Sequence, residues 1–155
     1  MEKYRIVHDM IIEKMEKIGI PLMRVSIGII FFWFGALKFF DGMSPAQTLA
    51  IETINLMTFG LFTEKVIIYG LASLEVLIGI GMLFNLFIKQ TIILLFLQMA
   101  GTFMPVFLFP GGVFNIFPYS LTLEGQYIVK NLVVISGAII IGGKLPKKMV
   151  KTEQQ

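Results

Sequence analysis

Apolar residues run through this chain in four blocks, separated by short stretches where charges and turn-forming residues collect. The blocks cover about 18–40, 65–88, 91–109 and 125–145. Crossing roughly 30 Å of hydrocarbon takes about 20 helical residues, so each block reads as a membrane span. The pattern predicts an all-α fold: a polytopic membrane protein built as an antiparallel four-helix transmembrane bundle over residues 18–145.

The charged stretch before the first span is patterned too. Across 1–17, Ile6, Val7, Met10, Ile11 and Met15 fall on one side of a helix, with Lys3, Lys14, Lys17 and acids on the other. That period predicts an amphipathic helix lying in the headgroup region. Its charge throughout, with no small-residue cleavage site after span one, argues against a removed signal peptide. Between spans one and two, Ser44 and Pro45 read as N-cap and first-turn proline of an outer surface helix through Leu49, Ala50, Ile54 and Met57. Between spans three and four, Pro110-Gly111-Gly112 and Pro118-Tyr119-Ser120 are turn signals among Phe114, Ile116 and Phe117. Residues 146–155 are a short basic tail, expected to be cytoplasmic and frayed.

Within the spans a stripe recurs at steps of three and four, which keep residues on one helix face. It runs Arg24, Gly28, Phe31, Gly35, Lys38 in the first, and Ile68, Ala72, Glu75, Gly79, Met82 in the second. The third gives Leu94, Gln98, Gly101, Pro105, Leu108 and the fourth Tyr127, Lys130, Val134, Gly137, Ile141. Each stripe mixes polar groups with a small residue that lets helices approach or leaves room for a ligand. Four polar stripes are expected to meet in the middle of the bundle.

Composition agrees with lipid as the solvent: 56% of residues are hydrophobic and 15% charged, where a soluble domain carries about 25% charge. The net charge of +3 is too small to imply nucleic acid. With no cysteine in the chain, disulfides, thiolate nucleophiles and iron–sulfur ligation are excluded, and any redox role needs a bound or borrowed cofactor. The sole histidine, His8, has no partner at ligand spacing, so no metal centre is expected.

Basic residues set the orientation. Lys3, Arg5, Lys14 and Lys17 precede span one, Lys89 separates spans two and three, and Lys144, Lys147, Lys148 and Lys151 follow span four, whereas the other loops carry Asp41, Glu52, Glu64 and Glu124. Both termini are expected on the cytoplasmic side.

Arg24, Lys38, Glu75 and Lys130 are the costly residues. A charge near a bilayer centre costs about 2.5 kcal/mol or more, so such residues face a bundle interior or a wet cavity. Counted at about 1.5 Å per residue, Glu75 falls between Arg24 and Lys130 in depth and is expected to pair with either or bridge both. Lys38, near a span end, and Arg24 can also snorkel to water. One acid against three bases leaves about two positive charges to be compensated, which an oxoanion, a sulfur anion or quinone carbonyls can supply. Phe31, Trp33, Phe34 and Tyr127 offer surfaces for stacking a quinone ring. The candidate ligand-binding residues are Arg24, Lys38, Glu75, Gln98, Tyr127, Lys130 and Asn131; Glu75 and Lys130 are the candidate catalytic pair.

Several of these residues sit in longer patterns. Gly35-Ala36-Leu37-Lys38-Phe39, Ser44-Pro45-Ala46-Gln47 with Leu61 after it, Leu74-Glu75-Val76-Leu77-Ile78-Gly79 and, most specifically, 123–132 (LEGQYIVKNL) together resemble the YkgB-like branch of the DoxX-like membrane proteins, over about Pro21 to Gly143. The resemblance implies a four-helix protein of the bacterial inner membrane, grouped with subunits of thiosulfate–quinone oxidoreductases and with proteins of oxidative or reactive-chlorine stress. The family's recurring charged positions match Arg24, Lys38, Glu75 and Lys130.

Three functions are open at this stage. One is a redox-linked subunit that binds a quinone or small anion between the helices, with Lys130 and Lys38 as electrostatic donors and Glu75 as proton acceptor. Another is a small anion or proton transporter, although no inverted repeat or helix broken at mid-membrane is legible apart from Pro105. The last is a structural or assembly subunit in which Glu75 and Lys130 lock helix register. The expected partners are the lipid bilayer, a quinone or small anion, and a second copy or a redox partner subunit.

Overall fold

The computed structural model describes residues 2–40, 42–44 and 46–145, with side chains from residue 4 onward. Pro45, Asp41 and the basic tail 146–155 lie outside the described residues. The chain is mostly helical, in the order α1 (Glu2–Leu37), α2 (Gln47–Met57), α3 (Glu64–Phe84), α4 (Ile88–Leu108), α5 (Pro110–Val113), a small antiparallel hairpin of β1 (Phe114–Ile116) and β2 (Ser120–Leu121), and α6 (Leu123–Gly143). Among the described residues, α1, α3, α4 and α6 are each long and apolar enough to cross a membrane.

These four form a ring in which α1 touches α3 and α6, and α4 touches the same two from the other side. Short connections make neighbours antiparallel. Only Asn85, Leu86 and Phe87 separate α3 from α4. Asn85 ends α3 in the left-handed conformation, φ 57°, which asparagine tolerates better than most residues, and the Thr91 hydroxyl donates to the Leu86 carbonyl at 3.0 Å to hold the turn.

The end of the bundle holding this turn and the C-terminal end of α6 is called the lower end here; the end beneath α2 is the upper. The apolar core lies in the lower half, where Ile27 and Phe31 of α1 meet Ile78 and Met82 of α3, Leu95 and Met99 of α4, and Val134, Ala138 and Ile141 of α6.

Glycines set how closely α1 and α3 approach. A methyl group on Gly28 would lie 2.9 Å from the Leu83 nitrogen, one on Gly35 would lie 2.9 Å from the Val76 nitrogen, and one on Gly79 would overlap the Phe32 backbone. These three contacts belong to one antiparallel register, so backbone approach is what the glycines of these two stripes provide.

Three features differ from the sequence expectation. No boundary separates an amphipathic helix from span one: α1 is one helix of 36 residues running through Pro21, about 54 Å at 1.5 Å per residue. Gly28 already lies level with Leu83, near the end of α3, so the first turns of α1 project beyond the bundle and are exposed. A proline's ring clashes within its helix, but neighbouring packing can hold the helix together. Next, α2 begins at Gln47 after a left-handed Ala46, φ 58°, with no side-chain cap, so the N-cap position is Ala46 and not Ser44. Finally, the second loop contains a helical turn and a hairpin. Thr122 anchors both to α6: its hydroxyl donates to the Gly112 carbonyl at 2.8 Å and accepts from the Gly125 N–H at 3.0 Å as the N-cap.

Candidate functional site

Above the core the four helices part. A cavity of about 360 Å³ opens there, bounded by α1, α3, α4 and α6 and roofed by Ala46 and by Leu49, Ala50, Thr53 and Ile54 of α2. Its walls are largely apolar, from Phe31 and Phe34, Leu71, Met99 and Ile128. Gly101 faces this space, and a methyl group there would meet nothing within 4 Å. Room for a ligand, one of the two purposes anticipated for the glycines, exists at this one.

Glu75 is the polar centre. Lys38 donates to its Oε2 at 2.7 Å, and Gln98 donates to Oε1 at 3.1 Å. The Lys38 and Glu75 side chains are only 10% and 12% exposed, so they form a buried pair stabilised by desolvated Coulomb attraction and by the amide. Lys38 also reaches the Phe34 carbonyl at 3.4 Å.

The partner of Glu75 is therefore neither Arg24 nor Lys130. The register explains both absences. With Gly35 packed on the Glu75 Cβ, α1 ends level with the middle of α3, and Lys38 emerges within reach of the carboxylate. Depth counted from the span ends placed Lys38 near the surface because it treated the four helix ends as flush. The same register carries Arg24 to the last turn of α3, where its guanidinium donates to the Met82 carbonyl and, at 3.2 Å, to the Leu83 carbonyl. Cations at a helix C-terminus satisfy orphan carbonyls and the negative end of the dipole. Arg24 does not line the cavity.

Lys38, Glu75, Gln98, Tyr127, Lys130 and Asn131 all do line it. Lys130 makes no ion pair among the described residues; its ammonium lies 5.8 Å from the Tyr127 ring centroid, a cation–π distance. It is exposed and lines the cavity from α6, whereas Glu75 lines it from α3. Among the described residues the chamber thus carries one neutral ion pair and one ammonium held only against the Tyr127 ring. The net excess is one positive charge, against the two reckoned when Arg24 was counted in.

Of the aromatics, Phe31, Phe34 and Tyr127 line the cavity, whereas Trp33 is 64% exposed and does not line it. Thr53 and Thr102 also line it and carry polar groups that the sequence reading passed over. Thr53 is 2% exposed and donates to the Leu49 carbonyl at 2.6 Å. Its signal was a lone hydroxyl in the apolar stripe of α2; that of Thr102 was its place one turn after Gln98.

No family model, curated protein or solved structure matches this chain.

Proposed function

We propose that this chain is an integral protein of the bacterial cytoplasmic membrane, with its lower end cytoplasmic, and that its upper cavity binds a quinone as part of a redox-linked function. The observation that carries this reading is one apolar chamber in which Lys38–Glu75–Gln98 and Lys130–Asn131 stand on separate walls. A flat ring with carbonyl oxygens suits that arrangement: Phe31 and Phe34 offer apolar surface, Gly101 leaves room, and Lys130 offers hydrogen-bond donors without a competing carboxylate. A small inorganic anion suits it less, because Lys38 is already neutralised and the walls are apolar. In this reading Lys130 orients a ligand carbonyl, while Lys38 and Glu75 are the groups able to pass a proton to or from it. The resemblance to the DoxX-like proteins points the same way.

A second reading, a purely structural membrane subunit, draws on the complete satisfaction of Glu75 by Lys38 and Gln98. Mass spectrometry and an absorbance spectrum of gently purified protein, with and without Glu75→Gln, decide between them. The quinone reading expects a co-purified quinone that the folded variant has lost. A ligand-free protein whose variant fails to fold supports the structural role, and anion or proton flux in proteoliposomes moves the assignment to transport.

A further inference from the structure

The cavity walls are unevenly covered. Ile30 is 42% exposed, Phe34 37% and Tyr127 40%, and Lys130 is exposed as well. These four both line the chamber and reach the outside of the molecule, and all lie on α1 or α6. None of the lining residues of α2, α3 or α4 is exposed to that degree. The chamber is therefore closed from above by α2 and open at its side, between the upper halves of α1 and α6.

Packing below and anchoring above frame this gap. A methyl group on Gly137 of α6 would lie 2.9 Å from Ile27 Cδ1 and 3.0 Å from the Met23 sulfur, so α1 and α6 are in tight contact there. Lys130 is two turns higher, about 10 Å along the helix, where residues of both helices line the cavity. At its upper end α6 is held by Val113, fully buried beside Gly125, and by the Thr122 cap.

In a four-span protein, a side opening at this depth faces lipid tails, not water. We infer that the cavity is loaded laterally from the bilayer through the α1–α6 gap. Its ligand is then an amphiphile: an acceptor-bearing head sits inside beside Lys130 and Asn131, and an apolar tail leaves past Ile30, Phe34 and Tyr127. The inference rests on the proposed membrane-embedded binding site and adds the route and the tail. It also accounts for Lys130, an ammonium with no ion-pair partner among the described residues at a lipid-facing margin, a costly arrangement that a membrane-borne acceptor relieves. Quinones and anionic phospholipids share the required head-and-tail chemistry.

The test uses a long-tailed benzoquinone carrying a diazirine in its tail, photolysed with the full chain in phosphatidylcholine nanodiscs. Labelling is expected on peptides holding residues 30–34 and 127–134, reduced about tenfold by excess unlabelled tail-less quinone. Competition by phosphatidylglycerol but not by the tail-less quinone keeps the lateral route and assigns the head to a phospholipid, against the quinone reading. Competed labelling concentrated on 47–57 places entry at the roof and overturns the lateral route while leaving the binding site intact. Labelling that no competitor reduces removes the binding site itself. Ile30→Trp, which narrows the gap at its rim, is expected to slow labelling about fivefold; an unchanged rate overturns the portal.

Discussion

The lower and upper halves of the bundle are built from the same four helices but solve opposite problems. Below, Gly28, Gly79, Gly81 and Gly137 bring backbones or side chains into contact, and Ile78, Met82, Leu95 and Ala138 are completely buried. Above, Gly101 faces empty space and polar groups from α2, α3, α4 and α6 border a chamber. A glycine in an apolar helix therefore has no fixed meaning. It permits contact where a neighbouring backbone lies opposite, and leaves volume where the helices part.

Substitutions can separate the two halves. The largest loss is expected from Lys38→Met, which leaves the Glu75 carboxylate buried without its counter-ion and costs about 3 kcal/mol or more. Combining it with Glu75→Leu should recover most of that loss in thermal unfolding of the detergent-solubilised protein, since an apolar pair of similar size replaces a buried ion pair at little cost. If the double variant is as unstable as the single one, the two side chains do not act as a unit.

Gly79→Ala comes next, because its methyl group would overlap the Phe32 backbone. A loss of about 2 kcal/mol is expected from overpacking, and a melting temperature equal to that of the parent would contradict the close α1–α3 contact. Gly101→Ala should sit at the other extreme, changing stability by less than about 0.5 kcal/mol, as substitutions away from packed features do. Gly101→Leu, on the same open wall, is expected to leave the melting temperature nearly unchanged while weakening quinone binding about tenfold in an equilibrium titration. Stability that falls as steeply at Gly101 as at Gly79 would erase the distinction between the halves.

Much of this architecture was legible before any coordinates. The four apolar blocks correspond to α1, α3, α4 and α6 within a few residues at most ends, because apolar length and helical period are local properties of the chain. The stripes were also informative: Glu75, Gln98, Tyr127 and Lys130 do border one space. What local pattern could not supply was relative height. Ile18 was expected to start a new element, yet α1 runs continuously across it, and the depth of Lys38 was counted as if α1 ended flush with α3, whereas it stops level with the middle of α3. Ser44 and Pro45 have the chemistry of a helix start, but α2 begins beyond them at Gln47, after Ala46 in the left-handed conformation.

The amino-acid order alone determined that this is a helical chain suited to lipid, free of thiol chemistry, with ionisable groups that must find partners or water. Which partner each one takes was decided only by tertiary structure. Gly28, Gly35 and Gly79 set one sliding register between α1 and α3, and that register delivers Lys38 to Glu75 and Arg24 to the end of α3. Periodicity reports the face a residue occupies, whereas pairing depends on how far one helix is displaced along another, and that displacement is fixed by contacts between residues distant in the chain.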